Sequence, residues 1–242
     1  MGFHLLFDQF PSIQHRIDIG GVAQVGDAPG YDDKTAVVPT GDWRPLTRDE
    51  AEQFRVDETT PPGLVVELVS RILRVSPGAD LDARRQAAAA LDPVDGRWPR
   101  EFLACADSPA GCLTTTQDFD NDCRRIGLHI DNFDRLPYSA RLRSRRRLCL
   151  NFGPGTRYLL VGDLSILEMC QVVGRDQHDY RPNTDDLRRY VSEGNPLRCL
   201  RIRLDPGEGY IAPTELLPHD GSTAGAAEWS VAAFWLETPP TN

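Results

Sequence analysis

The sequence predicts an α+β protein in which a jelly-roll core of antiparallel strands packs against N-terminal helices. Short strand-like segments, separated by turn residues, fill the chain from about residue 111 to residue 238. Helical patterns are concentrated before that point. The length of 242 residues suits one domain with a full hydrophobic core, so we expect both regions to belong to a single domain.

The first part of the chain, residues 1–110, combines strand and helix patterns, and we expect it to support the core. β-Branched residues and glycines in IDIGGVAQV and TAVVP predict strands. Thr47 precedes acidic residues in LTRDEAEQFRV, which is typical of a helix start, and the alanine-rich LDARRQAAAALD predicts a helix that ends before Pro93. In PPGLVVELVSRILRV, apolar residues recur at the i, i+4 spacing of a helix buried along one face.

Strand patterns dominate residues 111–238, the predicted jelly-roll core. The segments are rich in apolar residues and are separated by glycine, proline and aspartate. In chain order they are GCLTTTQDF, GLHIDNF, RRLCLNFG, TRYLLVGDLS, LRCLRIRLD, EGYIAPTELLPHD and EWSVAAFWLE. A polar, partly helical insertion at about residues 166–196 separates the fourth segment from the fifth.

Charge and cysteine content narrow the function classes. The formal charge is −9, which disfavours nucleic-acid binding. No apolar run approaches the roughly 18 residues that a membrane span needs, and the start MGFHLLFDQF lacks the features of a signal peptide. The six cysteines include no CxxC pair, as expected for thiols in a reducing compartment. We therefore expect a cytoplasmic protein that is not bound to a membrane.

One arginine cluster stands out, because Lys34 is the only lysine. The segment SARLRSRRRLCL is short and leads directly into an apolar strand. A solvated loop or an anion-binding segment is therefore favoured over a nucleic-acid phosphate patch. The cluster comprises Arg141, Arg143, Arg145, Arg146 and Arg147.

Three side chains form a candidate metal site. In a strand, alternate residues share a face, so His129 and Asp131 of LHIDNF would point the same way. His219 follows about ninety residues later, beside a turn, and could complete the site. Two imidazoles and one carboxylate are the ligands of the facial triad of mononuclear iron(II) enzymes, although manganese, cobalt or zinc could use them as well.

The HxD pair, the distal histidine and the strands around them resemble the iron(II)- and 2-oxoglutarate-dependent oxygenase superfamily, whose fold is a cupin-like double-stranded β-helix. The resemblance covers roughly residues 111–238. It implies iron(II) as cofactor, 2-oxoglutarate and dioxygen as co-substrates, and hydroxylation of a small molecule such as an amino acid or a specialised-metabolite intermediate. Desaturation and cyclisation are other outcomes within the superfamily. Halogenation is disfavoured because Asp131 keeps the carboxylate that halogenases lack.

The sequence departs from the superfamily at one place. Most members have a basic residue about ten positions after the distal histidine to bind the far carboxylate of 2-oxoglutarate, and this chain has none after Arg203. Some branches use a basic residue on the fourth core strand, where Arg157 stands; Arg147, on the third, is a second candidate. The alternative is a cupin-like metal- or ligand-binding protein without oxidative turnover.

The neighbours of the ligands allow more than one interpretation. Asn132 and Asp134 could orient the metal ligands or simply form a turn. Asp220 could orient His219, accept a substrate ammonium group, or serve only as a turn residue. The oligomeric state is not predicted.

Overall fold

The secondary structure is mostly β, as a computed structural model shows for residues 3–6, 13–76, 78–94, 96 and 100–238. In chain order the strands are β1 (His4–Leu6), β2 (Ile17–Gln24), β3 (Val37–Pro39), β4 (Arg44–Pro45), β5 (Val65–Ser70), β6 (Arg100–Ser108), β7 (Gln117–Asp118), β8 (Arg124–Arg125), β9 (Arg147–Pro154), β10 (Arg157–Gly162), β11 (Arg198–Leu204), β12 (Glu208–Ala212), β13 (His219–Ser222) and β14 (Ser230–Glu237). The helices are α1 (Arg48–Gln53), α2 (Leu81–Ala90), α3 (Ile166–Val172) and α4 (Thr184–Ser192), with 3-10 turns at Ile13–Arg16, Pro62–Leu64 and Tyr138–Arg143.

Two large sheets organise these strands. The first sheet has the order β1-β5-β12-β9-β14-β6, and the second has the order β13-β10-β11-β2-β3, with β4 also paired to β2. Every pair in these two sheets is antiparallel except β1 with β5. The result is a mixed α+β structure with a curled antiparallel half-barrel, compatible with a β-sandwich. The first 110 residues supply strands to both sheets.

Apolar side chains fill three layers. The central layer, which we call the interior, joins residues from both sheets, among them Leu159 of β10 and Ala212 of β12. A second cluster covers the outer face of the second sheet with α3 and α4, and a third packs α2 against the outer face of the first sheet. Because alternate residues of a strand face opposite ways, each central strand contributes to the interior and to one outer cluster.

The helices predicted at LTRDEAEQFRV and LDARRQAAAALD are confirmed as α1 and α2. Thr47 accepts a hydrogen bond from the backbone N–H of Glu50, whose side chain in turn accepts from the backbone N–H of Thr47, which is a complete capping box. Asp80 caps α2 in the same position. The predicted strands IDIGGVAQV and TAVVP are confirmed as β2 and β3.

The helix predicted over PPGLVVELVSRILRV is wrong, because Val65–Ser70 forms β5 between β1 and β12. Leu64, Val66 and Leu68 face the interior with a period of two, while Val69 joins the opposite cluster. A strand that is buried on both faces shows a nearly continuous apolar run, which satisfies i, i+4 spacing as well. Periodicity alone could not separate the two structures.

Two predicted core strands are also wrong as regular strands. Of GCLTTTQDF only Gln117–Asp118 is paired, and GLHIDNF makes isolated bridges at Leu128 and His129. Among the helices of the described ranges, none is both long and apolar enough to cross a membrane. The expectation that no signal peptide is present concerns residues 1–10, most of which lie outside the described residues.

Candidate metal centre

Backbone pairing brings the two histidines together. His129 and His219 face each other across an isolated antiparallel bridge, with N–O distances of 3.1 and 3.0 Å. In the sheet, His219 lies opposite Val161, an interior residue, so its ring faces the interior. The Asp131 amide then donates to the Thr214 carbonyl at 3.0 Å, which brings the carboxylate to the same place.

The three predicted ligands form one buried group. Ligand atoms of His129, Asp131 and His219 all lie within 4.8 Å of one another. The Asp131 carboxylate stands between the rings, with Oδ1 3.7 Å from Nε2 of His129 and Oδ2 3.6 Å from Nε2 of His219. Both histidines are at most 4% exposed. This convergence of distant residues is the geometry that a single cation requires.

The hydrogen bonds of the two histidine rings determine which nitrogen carries the hydrogen. Nδ1 of His129 lies 3.0 Å from the Gly127 carbonyl, and Nδ1 of His219 lies 3.1 Å from the Leu217 carbonyl. A carbonyl can only accept, so Nδ1 carries the hydrogen and Nε2 keeps its lone pair. Nε2 of His219 is buried without a hydrogen-bond partner. Both rings therefore present the atom that would bind a metal.

Gly127 is the residue that this arrangement requires. Its φ of +72° lies in the left-handed region, and a Cβ would meet the backbone oxygen of Val37 at 2.5 Å. The turn lets the Gly127 carbonyl reach back to His129.

The protonation states also favour a cation. Burial, with the nearby His129, lowers the pKa of His219 to about 3, so its ring is neutral at physiological pH. Burial alone would raise the pKa of Asp131, but its environment, above all the positive charge of Arg147, lowers this pKa. A neutral imidazole and an ionised carboxylate are the forms that coordinate metals.

Arg147 binds the ligand carboxylate. Its Nη1 lies 2.9 Å from Oδ2 of Asp131, and its guanidinium lies over the rings of Phe133 and Phe234, 5.3 and 4.9 Å from their centroids. Although Arg147 lies beside it, Oδ2 of Asp131 is buried without an aligned hydrogen bond. Arg147 is thus next to the metal ligands rather than remote from them.

Arg157 lies in the interior, where the part of the chain that the structure describes gives it no counter-ion. Opposite Leu204 of β11, it shares that residue's interior face. It is 3% exposed, its Nη1 has no hydrogen-bond partner, and no carboxylate of the described residues forms an ion pair with it. Burial raises the pKa of Cys149, although the positive charges of Arg157 and Arg147 act to lower it.

The space for Arg157 is made by Gly221. A Cβ at this position would lie 2.5 Å from Nη2 of Arg157 and would also collide with Oγ1 of Thr115. Gly221 is two residues after His219, so the guanidinium lies roughly 7 Å along β13 from that ligand.

The hydrogen bonds of Asp220 go to the segment with Thr115 and Thr116 and not to the ring of His219. Its buried Oδ1 accepts from the amides of Thr115 and Thr116, at 3.1 and 3.0 Å, and from the Thr116 hydroxyl at 2.9 Å. Burial raises the pKa of Asp220 against these hydrogen bonds and the nearby His129. The contacts place Thr115 beside Gly221.

Sequence reasoning missed a buried ion pair beneath residues 131–136, which we call the metal loop. Arg141, predicted with its neighbours as part of a solvated or anion-binding segment, is fully buried, as is its partner Glu215. The solvated interpretation is therefore wrong for Arg141. An arginine run before an apolar strand contains no signal that separates a buried member from its exposed neighbours.

The sequence matches no protein-family model and shows no significant similarity to a curated protein. The chemistry of the site is therefore the evidence for function. The group could hold one metal ion through two nitrogens and one oxygen, and Arg157, which has no ion pair among the described residues, lies in the same interior.

Proposed function

We propose that the protein is a non-haem iron(II)- and 2-oxoglutarate-dependent oxygenase that hydroxylates a small molecule, such as an amino acid or an intermediate of specialised metabolism. The observation that carries the proposal is that one buried interior holds both a His-Asp-His ligand group and an arginine with an unpartnered N–H group. The first suits a metal and the second suits an anion.

The residues fit iron(II). His129 and His219 would each bind through Nε2, and Asp131 through one carboxylate oxygen, which leaves positions open for co-substrates. When bound, the iron supplies dioxygen activation, coupled to decarboxylation of 2-oxoglutarate to succinate. Manganese, cobalt and zinc would also fit these ligands, so the choice of iron rests on the pairing with a site for an organic acid.

Arg157 is the proposed anchor for the far carboxylate of 2-oxoglutarate. A buried guanidinium without a counter-ion is costly, and a bound carboxylate would compensate it with two parallel hydrogen bonds. Arg147 is less suited to this role because Asp131 already occupies its Nη1. Its proposed task is to keep Asp131 ionised and correctly turned.

The finer features of the fold and setting are proposals too. We propose a jelly-roll topology, because the chain passes repeatedly between the two sheets from β9 to β14. All six cysteines are free thiols, which supports a reducing cytoplasm. The acidic charge and the buried site support a small substrate rather than nucleic acid.

A cupin-like binding protein without turnover is the second candidate. The observation in its favour is that β14, Ser230–Glu237, bears no basic residue. This candidate shares the metal site but not the consumption of 2-oxoglutarate.

The test uses protein purified without oxygen and loaded with iron(II). We expect one iron per chain, calorimetric binding of 2-oxoglutarate, and oxygen-dependent formation of succinate that increases with the correct substrate among a panel of amino acids. Asp131→Ala should lose the metal, whereas Arg157→Met should keep the metal and weaken 2-oxoglutarate binding. Metal binding without any succinate would favour the binding protein, and absence of metal binding would overturn both candidates.

A further inference from the structure

Arg141 lies beneath the loop that carries Asp131. It belongs to the 3-10 turn Tyr138–Arg143, which brings the chain back under this loop. Its guanidinium donates to the Asp131 carbonyl at 2.8 Å, to Oδ1 of Asn132 at 2.9 Å and to the Leu136 carbonyl at 3.4 Å. One fully buried side chain therefore fixes the metal loop at three residues.

The same guanidinium holds the segment that leads to His219. Nε of Arg141 donates to the Glu215 carbonyl at 2.8 Å, and Nη1 lies 3.2 Å from Oε2 of the Glu215 carboxylate, although this second contact is not aligned as a hydrogen bond. Glu215 then accepts from the Asp134 amide through Oε1 at 2.8 Å. Glu215 is therefore bound both by Arg141 and by the backbone of the loop that carries Asp131.

These contacts act at the point where the ligands meet. Thr214, next to Glu215, accepts from the Asp131 amide, and Leu217, two residues further, accepts from Nδ1 of His219. A shift of Glu215 against the loop would therefore move the backbone of Asp131 and the ring partner of His219 together. Because an aspartate side chain is short, its carboxylate follows its backbone closely.

We propose that the buried Arg141–Glu215 pair is a positioning device for the metal centre, which sets Asp131 relative to His219 and so determines metal affinity and coordination geometry. The inference rests on the metal site of the proposed function. Neither residue touches the metal position, so both are positioning residues. Outer partners of metal ligands typically control affinity about 10–100-fold.

The experiment measures cobalt(II) binding to the full chain, by calorimetry and by the visible absorption spectrum, at a temperature well below unfolding. We expect Arg141→Met to weaken cobalt binding about 10–100-fold and to change the spectrum of the bound ion. Glu215→Gln keeps the size of the side chain and an acceptor for the Asp134 amide, so it should fold and show a smaller loss. Arg141→Lys should recover part of the affinity by restoring the charge, but not the wild-type spectrum.

Arg16→Met is the matched control. Arg16 forms ion pairs with Glu208 and Asp205, at 2.8 and 3.0 Å, at the end of β12 remote from Ala212. Its loss should lower thermal stability while cobalt affinity stays within about twofold, because well-separated sites act independently.

The outcomes separate this inference from the proposed function. If the wild type binds cobalt and Glu215→Gln and every folded variant at Arg141 bind it equally with an unchanged spectrum, the positioning role is overturned and the metal site stands. If the Arg16 control loses affinity as much as the Arg141 variant, the effect is general destabilisation and the inference is again overturned. If the wild type binds no metal, both proposals are overturned.

Discussion

Two buried arginines, Arg141 and Arg157, lie in opposite electrostatic settings. Arg141 donates to three carbonyls and a side-chain amide and faces the Glu215 carboxylate. Arg157 is almost as buried, yet its Nη1 has no partner and it forms no ion pair within the described residues. The difference teaches that a buried charge with compensating partners is part of the architecture, whereas a buried charge without them is energetically costly.

The largest expected effect is on the free energy of unfolding, and it tests directly whether the two buried arginines differ. Arg141→Met should lower the free energy of unfolding by about 3–5 kcal/mol, because it leaves Glu215 buried without its counter-charge. Arg157→Met, in the protein without ligands, should leave this free energy unchanged or raise it, because it removes a buried charge without a partner. Urea denaturation of both variants measures the contrast, and equal destabilisation by the two would contradict it.

Arg157→Met, which should not destabilise the protein, should instead impair binding of 2-oxoglutarate. Arg157→Met should weaken 2-oxoglutarate binding to the metal-loaded protein about 10–100-fold, since a hydrogen bond to a charged group contributes about 1.5–3 kcal/mol. Calorimetric titration measures this loss, with cobalt affinity as the control that should not change. Wild-type affinity for 2-oxoglutarate in this variant would move the anchor to another residue.

Gly221→Ala tests the space around Arg157 without removing its charge. The new methyl group would lie 2.5 Å from Nη2, so the guanidinium must shift, at a cost of about 1–3 kcal/mol divided between stability and anion binding. We expect weaker 2-oxoglutarate binding and intact metal binding. If 2-oxoglutarate affinity is unaltered, Arg157 does not need its present position.

Lowering the pH should decrease the free energy of unfolding, because His219 is buried in its neutral form. The pKa of His219 is lowered from 6.5 to about 3 in the folded protein. Between these two pH values, His219 is therefore protonated in the unfolded chain but neutral in the folded chain. Its contribution is fully present above pH 6.5 and is lost as pH falls, by up to about 1.4 kcal/mol per pH unit. Unfolding of the metal-free protein at several pH values above the range in which carboxylates titrate should show a shallower slope for His219→Asn. Equal slopes would mean that His219 titrates normally.

The smallest expected effect on the free energy of unfolding comes from an exposed ion pair, which serves as the comparison for the buried Arg141–Glu215 pair. Arg189 of α4 and Glu193, the residue after this helix, form an ion pair of 2.7 Å, with both side chains more than 40% exposed. Glu193→Gln should change the free energy of unfolding by less than about 0.5 kcal/mol, because solvent screens the pair. Thermal denaturation measures it, and a loss near that of Arg141→Met would show that burial does not set the value of these pairs.

The short-range features of the fold could be predicted from the sequence. Thr47 identified the start of α1, the alanine-rich run identified α2, and the β-branched run after Arg16 identified β2, since capping and propensity act over a few residues. The run around Val66 could not be assigned, because a strand with both faces covered is apolar throughout. The pair Arg141 and Glu215 could not be predicted either, because burial of a charge depends on a partner 74 residues away.

The sequence by itself determined the ligand types: the HxD spacing and a distal histidine specified two imidazoles and one carboxylate, and the acidic composition disfavoured nucleic acid. Only the tertiary structure decided that these ligands converge, although His129 and Asp131 do not lie on the predicted strand. It also decided that Arg141 is buried against a carboxylate, whereas Arg157 is buried without an ion pair from the described residues. The physical reason is that residue chemistry and short-range propensity are local, whereas distance, burial and charge compensation depend on segments that meet only in the folded chain.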